Sequence, residues 1–222
     1  MQKIFEGEIF DVLPLSNGII FSYCKDIVDD NIMVAYKMIS FDNGRFTDVA
    51  KNIYMLTKFG NNYKAVAAQC DNYITVKSIL LPNGKVFLMQ TDGTATLLDN
   101  DASPVWTGSL VYRSCTPSDI LLYNNALWVC YADCDVLLRY NLSTMREELR
   151  IGGAKSPFSK PRNMFLEGDA AMVSNQESKS IIGINLKDYT VFEYETFDET
   201  LYQYINVSGN RFVVLESGLY LI

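Results

Sequence analysis

Short apolar runs dominate this chain, and nearly all of them are cut by turn residues. Runs at 18–23, 126–131, 136–141, 180–185 and 211–215 are rich in β-branched and aromatic residues, as expected of strands buried on at least one face. Between the runs stand Asn17-Gly18, Asn43-Gly44, Asn83-Gly84, Asp92-Gly93, Asn124-Asn125, Gly168-Asp169 and Gly209-Asn210. Asn-Gly and Asp-Gly pairs between strands supply the positive φ angles that tight hairpins need. Helix signals are few. Thr144 and Glu147 have capping-box spacing, but Gly152-Gly153 ends the run so soon that a turn into a strand is predicted there.

The turns recur. Those at Asn17, Asn61, Asn124, Gly168 and Gly209 are separated by 44, 63, 44 and 41 residues, and a period near 44 is what a four-stranded propeller blade requires. Two segments align closely. Pro117-Ser118-Asp119, an apolar strand, Leu127-Trp128-Val129 and a strand ending in Asn141 are followed 44 residues later by Pro161-Arg162-Asn163, a strand, Met172-Val173-Ser174 and a strand ending in Asn185. The stretches 36–46 and 76–87 each read as the outer hairpin of a blade, and residues 91–111 fit no position cleanly. At the ends, the strand at 2–6 lacks a blade and the last blade, ending at 219–222, lacks its fourth strand. Pairing the two would close a ring and remove both open edges. The expected fold is therefore an all-β propeller over residues 1–222, one domain of five four-stranded blades, with six blades as the alternative if 91–111 forms its own.

The Pro117 and Pro161 segments resemble the NHL, YVTN and SMP-30-like propeller repeats. The resemblance is close over 117–197 and loose elsewhere, and it implies a radial ring with a central channel. Such propellers include binding scaffolds, lectins and metal-dependent lactonases, so it identifies architecture rather than activity.

Composition narrows the chemistry. The 222 residues carry a net charge of −7 and no basic run, which argues against nucleic acid and anionic membranes as partners. No stretch is long and apolar enough for a spanning helix, and charge interrupts the first residues before a signal-peptide core could form. A cytoplasmic chain is expected. The five cysteines, Cys24, Cys70, Cys115, Cys130 and Cys134, then read as reduced, buried thiols. Cys130 and Cys134 are the only close pair; on one strand they would stand about 13 Å apart, too far for a disulfide, whereas a turn between them could close the gap. Histidine is absent, which removes His-based nucleophile activation, His general bases and imidazole zinc sites.

In a propeller the first strand of each blade lines the channel. The positions expected at its mouth are Asp11, Met55, Asp119, Asn163 and Tyr204. No cofactor is expected. The alternative is a divalent cation held by Asp11, Asp119 and Asn163, as the likeness to SMP-30-type lactonases implies, although Met55 and Tyr204 interrupt the set. The other explanation is that Asp and Asn satisfy backbone groups where strands begin. Trp106, in the unplaced stretch, and Tyr202 are candidate sugar-stacking aromatics, whereas Trp128 belongs to the core. Glu193 and Glu195 read as an outer-edge face. The leading expectation is a non-catalytic binding or scaffold ring for a protein. The alternatives are a glycan- or small-molecule-binding lectin and a metal-dependent hydrolase.

Overall fold

A computed structural model describes residues 1–42, 44–69 and 73–222. Asn43 of one expected turn and Cys70 lie outside the described residues. Strand β1 (Gln2–Glu6) is followed by a first blade of β2 (Ile9–Leu15), β3 (Gly18–Val28), β4 (Asn31–Ser40) and β5 (Phe46–Asp48). Helices α1 (Lys51–Phe59) and α2 (Tyr63–Gln69) come next, joined by a 3-10 turn at Gly60–Asn62. The second blade is β6 (Lys77–Leu80), β7 (Val86–Met89), β8 (Thr94–Leu98) and β9 (Pro104–Ser109). The third is β10 (Asp119–Tyr123), β11 (Ala126–Tyr131), β12 (Val136–Asn141) and β13 (Glu147–Gly152). The fourth is β14 (Pro161–Glu167), β15 (Ala170–Asn175), β16 (Ser180–Asn185) and β17 (Val191–Thr196), and the fifth begins with β18 (Leu201–Val207), β19 (Asn210–Leu215) and β20 (Gly218–Leu221).

Each blade is an antiparallel four-stranded sheet, and β1 completes the fifth by pairing with β20, Gln2 opposite Leu221 and Glu6 opposite Gly218. The chain is a five-bladed β-propeller closed by its two terminal strands. Among the described residues no helix is long and apolar enough to cross a membrane.

The sheets bury both faces, which explains why their inner strands read as continuous apolar runs rather than alternating ones. Ile19 and Phe21 pack with Ile205, Phe212 and Val214 of the fifth blade, while Ile20 between them faces the second. Trp128 faces Met164 and Val173 of the fourth blade, while Leu127 and Val129 face Phe87 and Met89 of the second. Core is thus laid down as five apolar wedges, one per junction. Trp128 is fully buried, as expected. Thr144 and Glu147 stand at the turn into β13, also as expected.

The second blade departs from the sequence expectations. Residues 91–111 are not a sixth blade but its third and fourth strands, β8 and β9. Residues 76–87 form its inner hairpin, not an outer one, whereas in the first blade β4 and β5 pair as the outer two strands, as expected. Asn61-Asn62 is no hairpin turn; it lies in the 3-10 turn between helices, and the matching turn is Asn83-Gly84. The turns then fall 66, 41, 44 and 41 residues apart, and the long interval holds the helices. Met55 sits on α1, not on an inner strand. Tyr54, Met55, Phe59 and Val66 of this insert fill the wedge between the first two blades. Their helical spacing in the sequence was masked by their aromatic, strand-like composition.

Cys115 and Cys134 form a disulfide, with Cα atoms 6.3 Å apart, which overturns the expectation of reduced thiols throughout. It ties the segment before β10 to the turn between β11 and β12, two stretches distant in sequence that share one rim. Among the described cysteines Cys24 and Cys130 are free. Closing a loop of 19 residues restricts the unfolded chain, so Cys115→Ser should cost about 2–3 kcal/mol. Urea midpoints with and without dithiothreitol check this: reductant should lower the wild-type midpoint and leave that of Cys115→Ser in place.

Candidate functional site

Inner strands of neighbouring blades belong to different sheets, so their channel-side backbone groups have no ladder partner and need one. Side chains supply it. Asp119 accepts the Met164 N–H at 2.8 Å, Asn163 Oδ1 accepts the Tyr204 N–H at 3.4 Å, and Gln203 Oε1 accepts the Val12 N–H at 3.0 Å. In each case the polar residue of one blade bonds the residue just after its counterpart in the next. The repeating position is therefore Asp11, Lys77, Asp119, Asn163 and Gln203. Met55 and Tyr204 do not belong to it. The Tyr204 side chain turns out of the channel, fully buried, and donates to Glu167 at 2.8 Å.

The pattern breaks at the second blade, where the helical insert enters. Asp11 accepts there from Lys58 Nζ at 2.8 Å and the Tyr54 hydroxyl at 2.9 Å, both on α1. Lys58 also donates to the Ile74 carbonyl at 2.8 Å. Lys77 cannot accept a hydrogen bond; its ammonium stands 3.6 Å from Asp119, whose other oxygen takes Asn163 Nδ2 at 2.8 Å. The structure thus brings Asp11, Asp119 and Asn163 together, but in a belt within the channel rather than at its mouth, where they were expected, and adds Lys58, Lys77 and Gln203. The lysines were missed because a cation at this position makes sense only once Asp11 and Asp119 are seen across the channel.

Burial acts to raise the Asp11 carboxyl, but the Lys58 and Lys77 charges outweigh it and hold Asp11 below the usual carboxylate range. Burial pushes Asp119 up despite Lys77 and the Met164 N–H. It pulls the Lys58 ammonium down against the attraction of Asp11, and it raises the Cys130 thiol well above its usual range, an inert state. A divalent cation does not fit this belt: an ammonium accompanies each carboxylate, and no three acidic or thiol groups gather among the described residues.

The pH consequence has a definite sign. Because the folded Asp11 pKa is depressed, its contribution is complete above the unfolded value of ~3.9 and is lost as pH falls through the folded value. Asp119, raised, works in the opposite direction. Asp11→Asn should lower stability at neutral pH and flatten the acid limb of the stability profile, checked by urea midpoints from neutral to acidic pH.

Above the belt the channel opens into a mouth of about 670 Å³. Three inner strands carry a one-residue bulge at the same place, between Ile9 and Asp11, between Pro161 and Asn163, and between Leu201 and Gln203. Such a bulge takes a residue out of the ladder and re-aims its side chain. The residues displaced are Phe10, Arg162 and Tyr202, and all three line the mouth. Only Tyr202 was legible as a candidate. Trp106 is elsewhere: it lies on β9, stacked on Phe87, and lines a separate depression of about 350 Å³ with Leu81 and Met145. It shares no site with Tyr202.

No protein-family model matches the chain, and no curated protein matches it in sequence. Among solved structures it is similar to a streptogramin B lyase at 11% identity and a TM-score of 0.52, over 100% of this chain and 70% of that one. It is similar to a virginiamycin B lyase from Staphylococcus aureus at 10% identity and 0.52, over 100% and 72%. It is also similar to Sqt1 of Saccharomyces cerevisiae at 12% identity and 0.52, over 95% and 71%. At these identities the likeness shows the fold alone.

Proposed function

We propose that this propeller is a non-catalytic binding ring whose channel mouth takes a protein partner. The observation that carries the reading is the repeated bulge, which aims Phe10, Arg162 and Tyr202 into one funnel. Tyr and Arg are the residue types that dominate protein-interface energetics. Glu8, Asp133 and Glu216 on the same rim favour a partner with basic residues at its contact surface. The belt beneath supports the same reading, because its carboxylates are engaged in holding blades together. The disulfide favours an oxidising compartment over the expected cytoplasm.

The test is capture from the native host with the wild-type chain and with Arg162→Ala/Tyr202→Ala, followed by affinity measurement on the captured protein. The double variant should weaken binding at least ~30-fold, the loss of about 2 kcal/mol typical of an interface hot spot. A thermal shift induced by calcium, magnesium or zinc and abolished by Asp119→Asn would overturn the reading in favour of a metal-dependent site. Glycan binding lost in Tyr202→Ala would overturn it in favour of a lectin.

A further inference from the structure

The ribbon of β3 and β4 does not end with its blade. β2 stops pairing at Ile9 opposite Tyr23, with one further bond from Cys24 N–H to the Glu8 carbonyl. On the other side β5 reaches only Lys37 of β4, with Val49 N–H to the Tyr36 carbonyl beyond it. β3 and β4 continue alone to Val28 opposite Asn31, closed by Asp29 and Asp30 at φ 49° and 61°, a type I′ turn. They are 11 and 10 residues long, against 4 to 6 for the corresponding strands of the other blades. Glu8, at the root of the free ribbon, lines the mouth, so the ribbon stands beside it.

Its surface is unusual on both faces. Ile27 and Ile32 face each other across the ribbon and are 61% and 52% exposed. Val28 and Met33, the next residue on each strand, point to the opposite face and are 46% and 49% exposed. No core covers either face at these four residues; the Ile32 face meets the wedge between the first two blades only further along, at Val34. Asp26, Asp29 and Asp30 surround these residues, with Lys25 the only cation in the stretch 24–34.

The backbone adds a third feature. Tyr36 sends its carbonyl outward to Val49, so the strand's alternation sends the N–H and C=O of Val34 and Ile32 to that same side. Those groups lie past the end of β5, and among the described residues no strand stands beside them.

We propose that this outer edge of β4, at Ile32 and Val34, accepts an extended segment of the partner protein as an added strand. The segment carries Lys or Arg among β-branched apolar residues. Main-chain bonds set its register, Ile32 and Met33 of β4 contact its side chains, and the three aspartates select its charge. The edge is short, which suits a second contact for a partner already seated at the mouth. The inference rests on the protein-binding reading of the ring.

The probe is a displayed library of random linear peptides, selected on the full-length chain. Enriched peptides should alternate apolar and basic residues. Ile32→Pro removes an outward N–H while leaving the inward ladder through Asn31 and Met33 intact, and should weaken these peptides roughly tenfold or more. Asp26→Lys/Asp30→Lys, which touches no buried group, should do the same by reversing the charge. Arg162→Ala/Tyr202→Ala should leave them unchanged. The proposal is overturned if no peptide is enriched, or if binding survives both ribbon variants. It is also overturned if binding is lost only with the mouth variant, in which case the mouth reading stands alone. A concentration-dependent dimer that Ile32→Pro abolishes would assign the edge to a second copy of this chain and overturn it too.

Discussion

Lys58→Met should lower the stability of the ring by about 3–5 kcal/mol, the cost of stripping one partner from a buried ion pair. The Lys58 and Asp11 side chains are 2% and 7% exposed, so water cannot replace the lost ammonium. Asp11 would keep the Tyr54 hydroxyl but no adjacent cation from α1, and the Ile74 carbonyl would lose its donor. Two further measurements separate this account from a simple packing defect. In the wild type Asp11 is depressed, so its contribution declines as pH falls. Without Lys58, burial dominates and the Asp11 pKa rises, so the variant should gain stability on mild acidification. The double variant Asp11→Leu/Lys58→Met should recover much of the loss, since an apolar pair of similar size needs no desolvation. Urea denaturation at two pH values gives all three results; a variant as stable as the wild type at neutral pH would refute the clamp.

Gly218→Ala should cost about 4–6 kcal/mol and open the ring. Gly218 has φ 142°, and a Cβ there would lie 2.1 Å from the Phe5 carbonyl oxygen. Backbone strain of this kind amounts to about 1–3 kcal/mol, and the contact pushes β1 away from β20, so ladder bonds of about 1 kcal/mol each are lost besides. Phe5, which meets Phe21 and Tyr23 edge-on across the closing junction, would lose that packing. The β20 edge would then be bare, so the variant should also aggregate. Gly209→Ala is the control: that glycine has positive φ but nothing within 4 Å of a Cβ. Thermal unfolding with light scattering reads both effects. A Gly218→Ala protein no worse than Gly209→Ala would mean that β1 does not hold the ring shut.

Local pattern carried most of the architecture. Asn17-Gly18, Asn124-Asn125, Gly168-Asp169 and Gly209-Asn210 mark inner hairpins because their turn geometry depends on residues adjacent in the chain. The 44-residue offset that aligns Asp119 with Asn163 reflects a blade that repeats its own contacts. Closure by 2–6 was legible for the same reason, as an unfinished blade at each end. The second blade was not, because the insert at 51–69 shifts the repeat and its aromatic residues resemble a strand until their helical spacing is seen.

The polar belt divides along the same line. Sequence alone determined that Asp11, Asp119 and Asn163 stand near strand starts, since short-range turn chemistry puts them there. Tertiary structure decided what they do. An oxygen acceptor clamps a neighbouring blade only where another sheet presents an unpaired N–H. Lys58 and Lys77 become partners of Asp11 and Asp119 only across dozens of residues of intervening chain. Cys115 reaches Cys134, and bulges turn Phe10, Arg162 and Tyr202 into the mouth, through the curvature and register of assembled sheets. Those are relations between segments, and no window along the chain contains them.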